Sequence, residues 1–325
     1  MRFRVVISLV AVALALVGLS HGDTWNPPGE VLAALTGSGD LSVVVLEWRL
    51  PRVLAALIFG AALGVSGALF QNLTRNSLGS PDVIGLDSGA YTGALIAITV
   101  FGGGAAALQL SSVVGGLLAA AVVYLLAARS GLDGMRLIVI GIAVNAMLVA
   151  TNSWIVLRAE LDVAIAATGW SAGTLNGLDW DEVALPFAVL AVLAVLVAVI
   201  TPAVHQAALG DDLALASGVQ LGRLRLLMVL AGVCATATVT AVAGPIVFVA
   251  LAAPQIGRRL ARRPGIPLLP AALTGAVLLL GSDLVAQLLL SPVSLPVGVV
   301  TTAIGGAYLI WLLILQVRRG GLVAG

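Results

Sequence analysis

Asp283 is the clearest carboxylate inside an apolar run, and Gln287 follows one helical turn later on the same face. A charge within a membrane span is costly and turns toward protein or a water-filled cavity. The pair is therefore a proton or substrate site, or a structural hydrogen-bonding pair near the outer end of a helix. Asn145 and Asn152 are seven residues apart and share one helix face. They can line a polar path or bond a neighbouring helix. Thr236, Thr238 and Thr240 recur with period two, so one helical face cannot hold all three. Arg49 and Arg52 flank Pro51 just ahead of an apolar run. Three readings stay open for them: snorkelling, a salt bridge to Glu47, or a cationic docking point for an acidic partner.

Much chemistry is excluded. All 16 cationic side chains are Arg. A P-loop needs a Lys that reaches the phosphates, so this chain cannot bind ATP that way. A Schiff-base Lys is impossible for the same reason. Cys234 is the single cysteine, which rules out an internal disulfide, a Cys-rich metal site and a c-type haem attachment. His21 and His205 are the only histidines and lie far apart in sequence, which argues against an intramembrane bis-His haem. No metal site and no catalytic residue is assigned. The net charge of +1 identifies no soluble partner.

The elements that must position these residues are membrane spans. The chain is 60% hydrophobic and only 10% charged, with a mean hydropathy of +1.14; soluble proteins carry about 25% charged residues. Apolar runs of about 18 to 22 residues recur, long enough to cross about 30 Å of hydrocarbon. The expected fold is all-α: a single polytopic domain over 1–325 with ten spans. They fall at 3–20, 50–71, 84–101, 107–128, 136–157, 183–203, 224–242, 246–261, 267–289 and 298–317. The first resembles a signal peptide in outline but is expected to remain as an uncleaved helix. Segment 158–181, with Trp170 and Trp180, reads as a helix lying at the interface, where Trp rings favour the headgroup level. Gly60-x-x-x-Gly64 and Gly89-x-x-x-Gly93 have the spacing that lets helix backbones approach closely.

Ten spans put both termini on one side. Arg2, Arg4, Arg75, Arg129, Arg136, Arg223, Arg225, the four Arg at 258–263, Arg318 and Arg319 then fall together, leaving only Arg49, Arg52 and Arg158 opposite. An excess of Arg marks cytoplasmic loops, so both termini are expected in the cytoplasm. Segment 205–222 falls on that face. Leu209, Leu213 and Ala216 recur there at helical spacing and Gly218 interrupts. It reads as two short helices joined by a turn, either an interfacial connector or a lever for a cytoplasmic subunit.

Several ordered blocks resemble one family. They are Arg49-Leu-Pro-Arg52, Gly60-Ala-Ala-Leu-Gly-Val-Ser-Gly-Ala-Leu-Phe-Gln71, and Asn76-Ser-Leu-Gly-Ser-Pro-Asp-Val-Ile-Gly-Leu-Asp-Ser-Gly-Ala90. Leu209-Gly-Asp-Asp-Leu-Ala-Leu-Ala-Ser-Gly218, Gly244-Pro-Ile-Val-Phe-Val-Ala-Leu-Ala-Ala-Pro-Gln-Ile-Gly-Arg258 and Leu295-Pro-Val-Gly-Val-Val-Thr301 continue the series. From about residue 47 onward the chain resembles the FecCD-type permeases of iron-siderophore, haem and cobalamin ABC importers. The resemblance implies a type II importer: two permeases, identical or paralogous, two cytoplasmic ATPases that use ATP and Mg, and an extracytoplasmic binding protein. It implies that Arg49 and Arg52 dock the binding protein. Leu209, Gly210, Asp211, Asp212, Ala216 and Gly218 would couple to the ATPase. Asn76, Leu78, Asp133, Gly134 and Met135 would form an inner gate. There are departures: Asn76-Ser77-Leu78 stands where Asn-Pro-Leu is usual, Gln287 where some relatives carry a further docking Arg, and Gly134 where relatives carry a hydroxyl.

The expected function is thus a permease subunit in a bacterial cytoplasmic membrane, surrounded by membrane lipid and not binding nucleic acid. It would import a metal chelate, with a ferric siderophore first and haem or cobalamin as alternatives. No cofactor is expected on this chain. A rival class, the proton-coupled secondary transporter, needs relay carboxylates or histidines within the spans; a membrane-embedded metalloenzyme would need paired ligands on neighbouring spans.

Overall fold

The structure is a computed structural model that describes residues 2–22, 25–128, 134–262, 265, 267–291 and 293–320. These residues form thirteen α-helices and no strand. The expected spans correspond to α1 (Arg2–Ser20), α3 (Leu50–Thr74), α4 (Leu86–Val100), α5 (Ala105–Ala128), α6 (Gly134–Arg158), α8 (Trp180–Ala207), α10 (Leu221–Ala243), α11 (Val249–Ala261), α12 (Leu268–Leu288) and α13 (Val297–Gly320). Seven of these are long and apolar enough to cross a bilayer on their own. At 1.5 Å per residue, α4 and α11 reach only about 20 Å. They complete their path with irregular backbone that lies against other helices, the arrangement hydrocarbon allows.

Three short helices complete the chain: α2 (Pro28–Leu35), α7 (Leu161–Ser171) and α9 (Asp211–Ala216). The expectation for 205–222 is corrected. α8 runs on through His205 to Ala207, so the segment holds one short helix rather than two. The start of the eighth span moves from 246 to Val249, because Phe248 sits at φ 72 and cannot continue a helix. The polar stretch after α1 carries α2 and a π-helical turn, Val44–Arg49, which had no periodic signal. α8 starts where Asp179 accepts a hydrogen bond from the Glu182 amide at 3.1 Å. The acidic residues Asp181 and Glu182 then suit the positive end of the helix dipole.

α3 is the hub. Two-thirds of its apolar window is buried, against 11% for α6. Phe59, Leu63, Leu69 and Phe70 are fully enclosed. Its glycines set the distance to its neighbours: a Cβ on Gly60 would strike the Gly275 carbonyl, one on Gly64 the Ala271 carbonyl, and one on Gly67 the Ala250 carbonyl. α12 and α11 therefore lie against α3 backbone to backbone. Gly89 and Gly93 of α4 meet Gly115 and Ser111 of α5 in the same way. Both small-residue repeats thus serve packing within one chain.

Gly60→Leu forces α3 from α12 and should destabilise the purified protein by at least about 1–3 kcal/mol, the usual range for an overpacked core. Gly306→Ala, where a Cβ meets nothing, should leave thermal unfolding in detergent unchanged. Equal unfolding midpoints for both variants would contradict the packing.

Candidate functional site

Three regions hold the residues singled out by the sequence. At one end, the π-helical turn runs directly into α3 and sets Arg49 and Arg52 one turn apart, both half-buried. Arg52 donates through Nε to Asp283 Oδ2 at 3.0 Å and through Nη2 to Asp283 Oδ1 at 2.9 Å. Gln287 adds a 2.7 Å bond to Oδ2. Asp283 is only 1% exposed, so a bidentate cation neutralises a carboxylate that hydrocarbon would not accept alone. Of the two readings of Asp283 and Gln287, the geometry gives the structural pair, with Arg52 as a third member joining α3 to α12. Arg49 donates to the Leu19 carbonyl at 2.8 Å and so satisfies a carbonyl in the last turn of α1. Trp180 donates to the Leu46 carbonyl at 2.8 Å, which ties the start of α8 to the same turn.

At the other end, α9 stands between α8 and α10. Gly210 at φ 127 and Gly218 at φ 85 supply the turns on either side. Asp211 receives Arg75 at 2.8 Å on one oxygen and Arg225 at 3.0 Å on the other. One carboxylate thus fastens the foot to the end of α3 and the start of α10. Ala214 is buried beneath α9, while Leu209, Leu213, Leu215, Asp212, Ala216 and Gly218 are exposed. Three exposed leucines thus stand beside the exposed acid Asp212.

The loop after α3 lies on this same end. Asn76 Oδ1 accepts the Leu78 amide at 2.9 Å, an Asx turn that needs no proline at Ser77. Gln255 of α11 donates to the Ser77 carbonyl at 2.7 Å, and Gln71 donates to the Leu251 carbonyl at 3.0 Å. Leu78 is exposed at the tip. Gly134 and Met135 begin α6, with Met135 exposed. Asp133 lies outside the described residues.

Between these ends runs a polar seam. Ser88 donates to Asn145 Oδ1 at 2.6 Å, and Thr92 donates to Asn152 Oδ1 at 2.7 Å. Asn152 returns a bond to the Ser88 carbonyl at 2.9 Å. Both asparagines of α6 therefore face α4 within this chain, and Asn152 is 3% exposed. Thr236 and Thr240, one turn apart on α10, are buried. Thr236 meets Ser66 at 2.9 Å, and Thr240 donates to Asp87 at 3.2 Å. Thr238 turns away and bonds the Cys234 carbonyl of its own helix at 2.7 Å.

The sequence reading missed Asp87 and Asp82. Asp87 opens α4 inside the bundle, so Asp283 is not alone among carboxylates in the spans. Asp82 sits in the 3₁₀ turn Pro81–Ile84, its Oδ1 sealed off without a hydrogen-bond partner. The signal was present in Pro81-Asp-Val-Ile-Gly-Leu-Asp87, where Asp82 and Asp87 flank a tight turn. Among the described residues no group of His, Cys, Asp and Glu is placed to hold a metal ion.

The FecCD transport family model matches residues 9–315. The ferric enterobactin transport system permease protein FepG of Escherichia coli is 48% identical over 310 residues, covering 95% of this chain and 94% of the relative. The Fe(3+)-citrate import system permease protein YfmE of Bacillus subtilis is 31% identical over 97% of this chain and 95% of its own. The vitamin B12 import system permease protein BtuC of Klebsiella pneumoniae is 36% identical over 97% and 94%. A solved metal-chelate type ABC transporter in an inward-facing conformation superimposes with a TM-score of 0.82 at 27% identity, covering 97% of this chain and 99% of that one.

Arg52→Leu strands the Asp283 carboxylate and should cost about 3–5 kcal/mol of stability, the usual penalty for removing one partner of a buried pair. Arg52→Leu combined with Asp283→Leu should recover most of it. The double cycle is read from thermal unfolding of the purified variants; additive losses would show that the pair is not coupled.

Proposed function

The chain belongs to the FecCD transport family, and on that footing we propose that it is the membrane-spanning permease subunit of an ABC importer for a ferric siderophore. The observation that carries the cargo class is the 48% identity, almost end to end, with a ferric enterobactin permease. The more distant citrate and vitamin B12 permeases agree on the importer class and differ in cargo. The subunit itself performs no covalent step. ATP is hydrolysed, with Mg, by two partner ATPases on the cytoplasmic face.

The mechanism follows from what each region can do. α9 is the foot on which an ATPase acts, through Leu209, Leu213 and the exposed acid Asp212. Movement of the foot reaches α3 and α10 through the Asp211 clamp, because Arg75 and Arg225 sit at their ends. Such a clamp lets ATP binding bias one of two arrangements of the spans. Asn76, Leu78, Gly134 and Met135, with Asp133, close the path on that side. α6 exposes apolar residues along most of its length, including Val139, Ile142, Met147 and Trp154; a second permease, identical or paralogous, covers that face and completes the path. On the opposite face Arg49 and Arg52 meet carboxylates of the binding protein. Asp283 holds the Arg52 fork so that its remaining N–H donors point outward.

The test is uptake by proteoliposomes that hold the permease with its ATPase and binding protein. Ferric enterobactin should enter with ATP and stop with vanadate. Entry of cobalamin or ferric citrate in its place would overturn the cargo, and uptake driven by a proton gradient without ATP would overturn the class. In the same vesicles Asp211→Asn should keep ATP hydrolysis within about twofold while uptake falls about tenfold, a coupling loss in the usual range.

A further inference from the structure

A groove of about 650 Å³ on the outside of the bundle is used by none of the sites above. α3 forms its floor at Ala62 and Val65, and the first turn of α12 closes one side. α8 lines the other with Phe187, Leu190, Ala194, Val197, Thr201 and His205. These recur in steps of three or four, so they form one helix face, and the 18 residue steps from Phe187 to His205 extend about 27 Å. The wall is apolar along its length and polar only at one end. Arg4, from the first turn of α1, and His205 are its ionisable lining residues. Thr201 turns inward and donates to the Val197 carbonyl at 2.6 Å. Arg4 and His205 are both exposed. Neither has a hydrogen bond or ion pair with a described residue, and the nearest carboxylate in sequence to His205, Asp211, is already held by Arg75 and Arg225.

His205 precedes the α9 foot by six residues, so the mouth opens at the Arg-rich end of the bundle. A basic pocket between spans on that side is suited to an anionic lipid headgroup. The charge decides between occupants. An apolar partner helix would leave the Arg4 guanidinium at the groove without a counter-charge. A polar metal chelate would find no donor or acceptor along the walls. We propose that this groove is a resident lipid site, taking one acyl chain of an anionic glycerophospholipid whose phosphate is held by Arg4 and His205.

The test is native mass spectrometry of the full-length protein, delipidated in detergent and titrated with palmitoyl-oleoyl phosphatidylglycerol or phosphatidylcholine. One phosphatidylglycerol should bind per chain, at least about fivefold more tightly than phosphatidylcholine, as expected for one cation near a headgroup. Arg4→Gln with His205→Gln should erase that preference. Ala194→Trp and Ala198→Trp, at exposed positions of α8, should block both lipids without moving the unfolding midpoint. Equal binding of the two lipids by the unchanged protein, or undiminished binding by the Trp variants, would reduce the groove to ordinary annular contact and overturn the site. A disulfide between two Ala194→Cys copies in membranes would overturn it in favour of a second chain in the groove.

Discussion

Backbone contact along α3 is the constraint on which the rest of this molecule depends. Lipid tails are as apolar as leucine, so helices in a bilayer gain little by hiding hydrophobic surface from one another. They associate by fitting closely. Gly60, Gly64 and Gly67 remove three side chains from one stripe of α3, and the carbonyls of Gly275, Ala271 and Ala250 move into the space. The neighbours α12 and α11 inherit their position from that stripe. Once α12 is fixed, Asp283 comes within reach of Arg52. Once α11 is fixed, Gln255 reaches the loop after α3.

Charges then act as fasteners at the two ends. The Arg52–Asp283 pair closes one end of the α3–α12 contact, and the Arg75–Asp211–Arg225 cluster closes the other end of α3 against α9 and α10. Their surroundings differ. Asp283 is almost fully enclosed, so its pairing is obligatory. Asp211 is 40% exposed, where an ion pair contributes little to stability and can break and reform. The exposed cluster at α9 is therefore cheap to break, and the enclosed Arg52–Asp283 pair is costly to break.

The exposed faces complete the division of labour. α6 and α8 leave most of their apolar side chains uncovered, while α3 and α10 leave few. α8 follows a plain lipid-facing pattern except at the groove above α3. α6 is different: Asn145 and Asn152 turn inward to α4, while the exposed hydroxyls of Thr151 and Ser153, each bonded to a carbonyl of its own helix, stand among apolar side chains on the outward face.

Much of this was legible from residues alone. Hydropathy locates the ten helices within a few residues, because the bilayer imposes its thickness on every span independently of the others. Gly218 likewise marks the end of α9 through a turn made within a few residues of chain. Whether Asp283 relays protons or ties helices together was not legible, nor was the inward turn of Asn145 and Asn152, nor the enclosure of Asp82 beside Asp87. Arg52 and Asp283 are 231 residues apart, and no local pattern brings them together. Periodicity assigns a side chain to a face of its own helix; only the packing of ten helices decides what that face meets.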